Sequence, residues 1–438
     1  MSEFTQSAFE GSLLSVIVYS DEIEPGMSLL RLQNVLAGEL SEAEAQYFFD
    51  NFEIIDTYDF NEDITYIPEL ADSGYQGMLV KRKGSDDNGE PGEFWFVNRG
   101  TEVGSDVEDT FKDAVIADID LALTGKASAQ LVAMEKYFQS LLDSGAIPPN
   151  ATLYAAGHSL GGHLTTYLAD AHGLLIDHAF TYNGAGIDKL PDSPYELVNF
   201  MQELVDLGSG VVGEVYDTLR NILTQTLYSN IGQDNVSNFI TTEGLEMIPS
   251  TNSQLGEIYQ VGTEEGGHSS VNLAHSLFVH HMISELDPSL AIDEISQLLN
   301  QSSSTEAIEH DALINGLAEI FGKGAVGEPS ESVSNDPSSK GDLSDYHNQL
   351  MQIVTDVGES GFLLTPLSGL GASDLLELLA SDSTEGAVSR YSVLNNLSFV
   401  VEGDFSEVTP SFMDDDTYIS QASLPKSRSF PFRLPSMG

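Results

Sequence analysis

The chain contains no cysteine. That single absence excludes disulfides, thiolate nucleophiles and every metal site built on cysteine. Positive charge is also scarce: 16 Lys and Arg stand against 69 Asp and Glu, a formal net charge of −53. A nucleic-acid binder needs the opposite sign. Long-range attraction to an anionic membrane is disfavoured as well, so any contact with lipid has to be hydrophobic, local or bridged by calcium. Charge of this size bears on solubility, not on fold. No apolar run reaches bilayer length. The opening stretch Met1–Gln6 lacks the basic region of a cleavable signal. The expectation is a soluble chain without a transmembrane segment, either cytoplasmic or secreted by a route that needs no cleaved N-terminal signal.

What is present suffices for a core. Of 438 residues, 41% are hydrophobic, with 21 Phe and 16 Tyr among them. Residues 1–74 read as a helical lead-in. Leu29, Leu32, Val35 and Leu36 recur at helical spacing, and Ser41 followed by Glu44 fits a capping box. From residue 75 the pattern changes. Residues 77–83 and 93–98 are strand-like and flank a loop of turn formers, which predicts a hairpin. Helical patterns over 127–142 and 160–172 alternate with apolar strands over 151–156, 179–183, 236–242 and 257–262. Strands alternating with helices imply a mostly parallel sheet covered on both faces.

Residues 190–231 form an apolar, helix-patterned insertion, a candidate lid over a catalytic domain spanning 75–285. An ordinary packed helical pair fits the same pattern. Residues 286–438 read as a mostly helical C-terminal region interrupted by a linker over 326–341.

The strongest chemical signal is Gly157-His-Ser-Leu-Gly161. A Gly-x-Ser-x-Gly pentapeptide between an apolar strand and a helix is a nucleophile elbow. Its turn is so tight that small residues must flank the serine, and it raises the hydroxyl of Ser159 to the positive end of the next helix. Serine attacks only when a base takes its proton. The elbow pattern predicts that an acid and then a histidine follow in the chain.

Two histidines lie where the base is expected, after the last sheet strand. His268 sits in a glycine-rich loop. His275 follows Asn272, a candidate helix cap that puts His275 in a first turn. His280 and His281, further along, suit packing or surface. Glu243, at the end of the 236–242 strand, is the natural acid, with Glu246 and Asp188 as alternatives. For the oxyanion, one donor is the backbone N–H of Leu160. The other is expected from Val97–Glu102, where Gly100 permits close approach and Thr101 can donate.

Assembled, these residues resemble the class 3, fungal-lipase-like family of α/β hydrolases, in particular its bacterial lipase and phospholipase A1 branch. Arg99-Gly-Thr101 resembles the family's oxyanion motif, and Asp109–Asp113 the acidic stretch after it. Gly157–Gly161 matches the elbow, and Phe180–Gly186 resembles the next strand and its glycine turn. The run from Thr242 to Pro249 resembles the strand end that carries the family's acid and places it at Glu243, a glutamate where the family usually has aspartate. His275 with the apolar run after it resembles the family's base, so the resemblance favours His275 over His268.

The resemblance covers about residues 75–285. It implies an α/β-hydrolase fold with helical additions at both ends. It also implies cleavage of a lipid ester through an acyl-enzyme on Ser159, with no required cofactor, calcium as a structural candidate, and transient contact with a lipid surface. An esterase, peptidase or acyltransferase on the same scaffold, or a non-catalytic binding module, remain the alternatives.

Overall fold

A computed structural model describes residues 2–37, 39–59, 75–86, 89–100, 127–186, 235–241, 254–263, 269–302, 310–324 and 340–414. Seven strands form one sheet in sequential order: β1 (Phe52–Asp59), β2 (Gln76–Arg82), β3 (Glu93–Asn98), β4 (Thr152–His158), β5 (His178–Tyr182), β6 (Val236–Thr241) and β7 (Glu257–Val261). β1, β2 and β3 pair antiparallel, and β3 to β7 run parallel. The hairpin and the parallel strands follow the sequence pattern. β1 does not: the lead-in ends in an edge strand, with a register shift between Ile54 and Asp56. That irregularity breaks the strict alternation by which a strand is recognised.

The pleat sorts the strand residues onto two cores. Trp95, Val97, Ala156, Phe180, Tyr182 and Phe239 face one layer, and Phe94, Phe96, Leu153, Ala155 and Ala179 face the other. Burial on both faces is why these strands read as continuous apolar runs. The second layer is covered by α4 (Ala127–Ser144) and α5 (Leu160–Ala171).

The first layer is covered by α1 (Ser2–Ile17), so the lead-in is an integral part of the sheet's core. Phe4 of α1 packs its ring 5.2 Å from that of Tyr259, and Tyr182 donates its hydroxyl to the carbonyl of Ala8 at 2.6 Å. The outer side of α1 is covered in turn by α6 (Ser270–Leu286). Thr5 meets Ser284, and Phe9 lies 5.4 Å from Phe278, so the two helices run antiparallel. The carboxyl end of α1 and the amino end of α6 therefore lie at the same end of the layer. Just beyond α1, the hydroxyl of Tyr19 reaches Nδ1 of His158 at 3.2 Å, so this is the carboxyl end of β4.

Two further helices complete the lead-in. α2 (Leu29–Val35) is capped by Ser28. α3 (Glu42–Asn51) begins with the anticipated capping box, Ser41 with Glu44 at the third helical position. α7 (Ile292–Ser302), α8 (His310–Ile320) and α9 (Lys340–Val357) follow α6. The expected helical region beyond them also holds α10 (Ala372–Ala380), α11 (Thr384–Leu394) and an antiparallel pair of short strands, β8 (Leu363–Pro366) and β9 (Phe399–Glu402). The candidate lid and nearly all of the 326–341 linker lie outside the described residues.

Candidate active site

β4 ends at His158 and α5 starts at Leu160, so Ser159 alone makes the turn between strand and helix. Its backbone has φ 56° and ψ −121°. That is a strained combination for a residue with a side chain, of the kind that persists only where the surroundings over-determine it. Two bonds hold it: its N–H donates to Tyr182 of β5 at 2.9 Å, and its carbonyl accepts from His163 at 3.2 Å.

The flanking glycines are set by close approach. A Cβ on Gly157 would overlap the carbonyl of Gly161, and one on Gly161 would overlap the carbonyl oxygen of Asn98 in β3. Leu160 stands at the first position of α5, where backbone N–H groups have no partner within the helix and the dipole is positive. The turn thus sets the serine beside the positive end of the helix.

The surrounding strand ends are tied together by buried polar groups. Asn98 donates to Thr165 of α5 at 3.0 Å and accepts from Tyr75 at 2.9 Å. Asn183, past β5, accepts at Oδ1 from the backbone N–H of Thr241 at 3.0 Å. Nδ1 of His163 lies 3.1 Å from the carbonyl oxygen of Gly186, and burial lowers the pKa of its ring.

Arg99 is a buried group here and not a surface cation. Its backbone N–H donates to Gln76, its guanidinium pairs with Asp21 at 2.5 Å and with the Gln76 side chain, and it lies 5.5 Å from the centre of the Tyr19 ring. Tyr19 and Asp21, just past α1, therefore brace the end of β3 at Arg99. No motif in the sequence marked either residue.

Of the other candidates, Thr101, Glu243, Glu246, Asp188, His268 and the Asp109–Asp113 stretch lie outside the described residues. His275 is described. Asn272 is not the helix cap: its N–H donates at 3.3 Å to Ser269, which caps α6 and starts the helix earlier, so His275 lies in the second turn. There its Nδ1 bonds Oε1 of Glu44 in α3 at 2.8 Å. Among the described residues no hydrogen bond joins His275 to Ser159. Glu44 itself passed as a capping residue in the sequence, and nothing in the motif indicated a second role. His280 and His281 are buried, which fits packing.

A mostly parallel sheet, helices on both faces and a strained serine between the central strand and its helix define an α/β-hydrolase fold. The chain is similar in structure to the Lip2 lipase of Yarrowia lipolytica, at 14% identity and a TM-score of 0.35, over 62% of this chain and 83% of that one. It is also similar to a triacylglycerol lipase of Penicillium expansum, at 13% identity and a TM-score of 0.29, over 61% and 83%. No protein-family profile and no curated protein matches the chain. No helix among the described residues is long and apolar enough to cross a membrane.

Proposed function

We propose that the protein is a serine hydrolase that cleaves carboxylic esters of lipids through an acyl-enzyme on Ser159. The observation that carries this reading is the left-handed, strained backbone of Ser159 at the mouth of α5. In this reading the Ser159 hydroxyl attacks the acyl carbon, and the N–H groups of Leu160 and Thr101 hold the oxyanion. An imidazole takes the serine proton and returns it to the leaving alcohol. Water then releases the fatty acid by the same steps.

Glu243, two residues past β6, is the acid that orients the imidazole. Of the two candidate bases this reading takes His268, since among the described residues Nδ1 of His275 meets Glu44 and no hydrogen bond joins His275 to Ser159. Calcium, if bound, has a structural role, and the enzyme meets its substrate at a lipid surface.

The test is fatty-acid release from phospholipid and triglyceride vesicles by wild type and Ser159→Ala, with and without calcium. Serine-dependent release is expected, and the preferred lipid names the substrate. Equal release by both proteins, or none from either lipid, overturns the reading.

A further inference from the structure

Three buried side chains from distant parts of the chain converge: Glu44 of α3, His275 of α6 and His347 of α9. We propose that they bind one divalent transition-metal ion of the zinc class, which fastens the N-terminal helices and the C-terminal region to the catalytic sheet.

The geometry suits such an ion. One donor atom from each residue lies within 4.8 Å of the others. Oε1 of Glu44 is 2.8 Å from Nδ1 of His275, and Oε2 is 3.8 Å from Nδ1 of His347. Donors held at tetrahedral zinc distances stand about 3.3 Å apart. The two separations bracket that value, and the longer one is beyond hydrogen-bonding reach.

Hydrogen bonding within the cluster is incomplete. Nε2 of His347 is buried without a partner among the described residues. Its Nδ1 meets the Ser41 hydroxyl at 3.0 Å, with Oε2 of Glu44 further off at 3.8 Å. That hydroxyl also donates to Oε2 of Glu44 at 2.8 Å. With that proton on Glu44, the Ser41 oxygen turns lone pairs towards Nδ1, so the ring either donates an Nδ1–H to it or offers its own Nδ1 lone pair to an ion.

Charge argues the same way. The Glu44 side chain is fully buried, and no Lys or Arg pairs with it among the described residues. Its other partners are the Ser41 backbone N–H at 2.9 Å and the Ser41 hydroxyl. A buried carboxylate facing two imidazoles is a donor set for zinc and its neighbours. Calcium, which takes six to eight oxygens, does not suit it. The Ser41 hydroxyl or a water completes four ligands. With all three residues buried, the ion is structural.

This inference rests on the reading that His268, and not His275, is the base of the Ser159 site. The full chain is stripped with a chelator and titrated with Co2+. One equivalent is expected to give the visible spectrum of a four-coordinate ion. One equivalent of Zn2+ should displace it and raise the melting temperature, and excess Ca2+ should not. Glu44→Gln and His347→Gln, folded by circular dichroism, should each weaken Co2+ binding at least tenfold. X-ray absorption of the zinc-loaded wild type should count two imidazole nitrogens, a readout independent of how the variants fold. A wild type that binds no stoichiometric Co2+, a zinc site with oxygen donors only, or variants that bind as wild type overturns the proposal. The cluster is then a proton-sharing triad, or the cation binds on the acidic surface.

Discussion

Gly161 lies against the carbonyl oxygen of Asn98 so closely that no side chain fits between them. The contact joins the first turn of α5, and with it the serine turn, to the end of β3. Gly161→Ala forces them apart. An overpacking cost of about 1–3 kcal/mol is expected. Denaturant unfolding measures that cost. Labelling by a fluorophosphonate should also fall, even in the fraction that remains folded.

The brace from α1 is testable separately. Tyr19→Phe keeps the ring beside Arg99 and removes the hydroxyl that reaches His158. Asp21→Asn removes the anion facing the Arg99 guanidinium. Both variants should lower kcat with little change in melting temperature, since Asp21 is largely exposed and an exposed pair contributes little to stability. Equal kcat in both variants and wild type would show that the brace has no part in positioning the site.

Glu10 of α1 is fully buried and pairs with Arg82, and it accepts from Tyr47 at 2.6 Å. Burial pushes its carboxyl above the ordinary range although Arg82 and Tyr47 pull it down. Removing the cation in Arg82→Met leaves an unpaired buried acid, at a cost of about 3 kcal/mol. Without Arg82 the carboxyl binds its proton more tightly still, so the cost should be larger at pH 8 than at pH 5. The double variant Glu10→Met with Arg82→Met should recover more than half of it.

His281 is buried against Phe9, at 5.8 Å between ring centres, and burial lowers its pKa from 6.5 to about 4. The unfolded chain therefore binds a proton at pH 5 that the folded chain does not. The stability tied to the neutral ring is complete above pH 6.5 and is lost as pH falls towards 4. His281→Leu removes that loss. Relative to wild type, the variant should gain about 1 kcal/mol between pH 6 and pH 5. A difference that does not change with pH would mean that the ring is charged in the fold.

The base is decided by a pair of variants. His268→Ala should abolish ester turnover. His275→Ala should retain it and lose melting temperature, because its bond to Glu44 joins α6 to α3. The reverse pattern would return the base to His275.

Much of this arrangement was legible in the chain. The strands from 93 onwards carried apolar runs bounded by turn formers, and the elbow residues define themselves by what they must avoid touching. Ser41 and Glu44 announced a helix start by chemistry local to four residues. What escaped was long-range. The β1 strand hides behind a register shift, and nothing in the α1 pattern says that it will lie on the sheet. The second role of Glu44 depends on His275, a partner 231 residues away. The partners of Arg99, Asp21 and Tyr19, lie far back in the chain, Asp21 at a separation of 78 residues. Local patterns specify elements, but the partners of a buried polar group are set by packing.

The most direct test of the central claim is to react the folded protein with a fluorophosphonate and map the adduct by mass spectrometry. The expected result is a single modified residue, Ser159, with labelling lost in Ser159→Ala and slowed in the variant that lacks the base. No adduct at Ser159 in a protein that is folded by circular dichroism would contradict it.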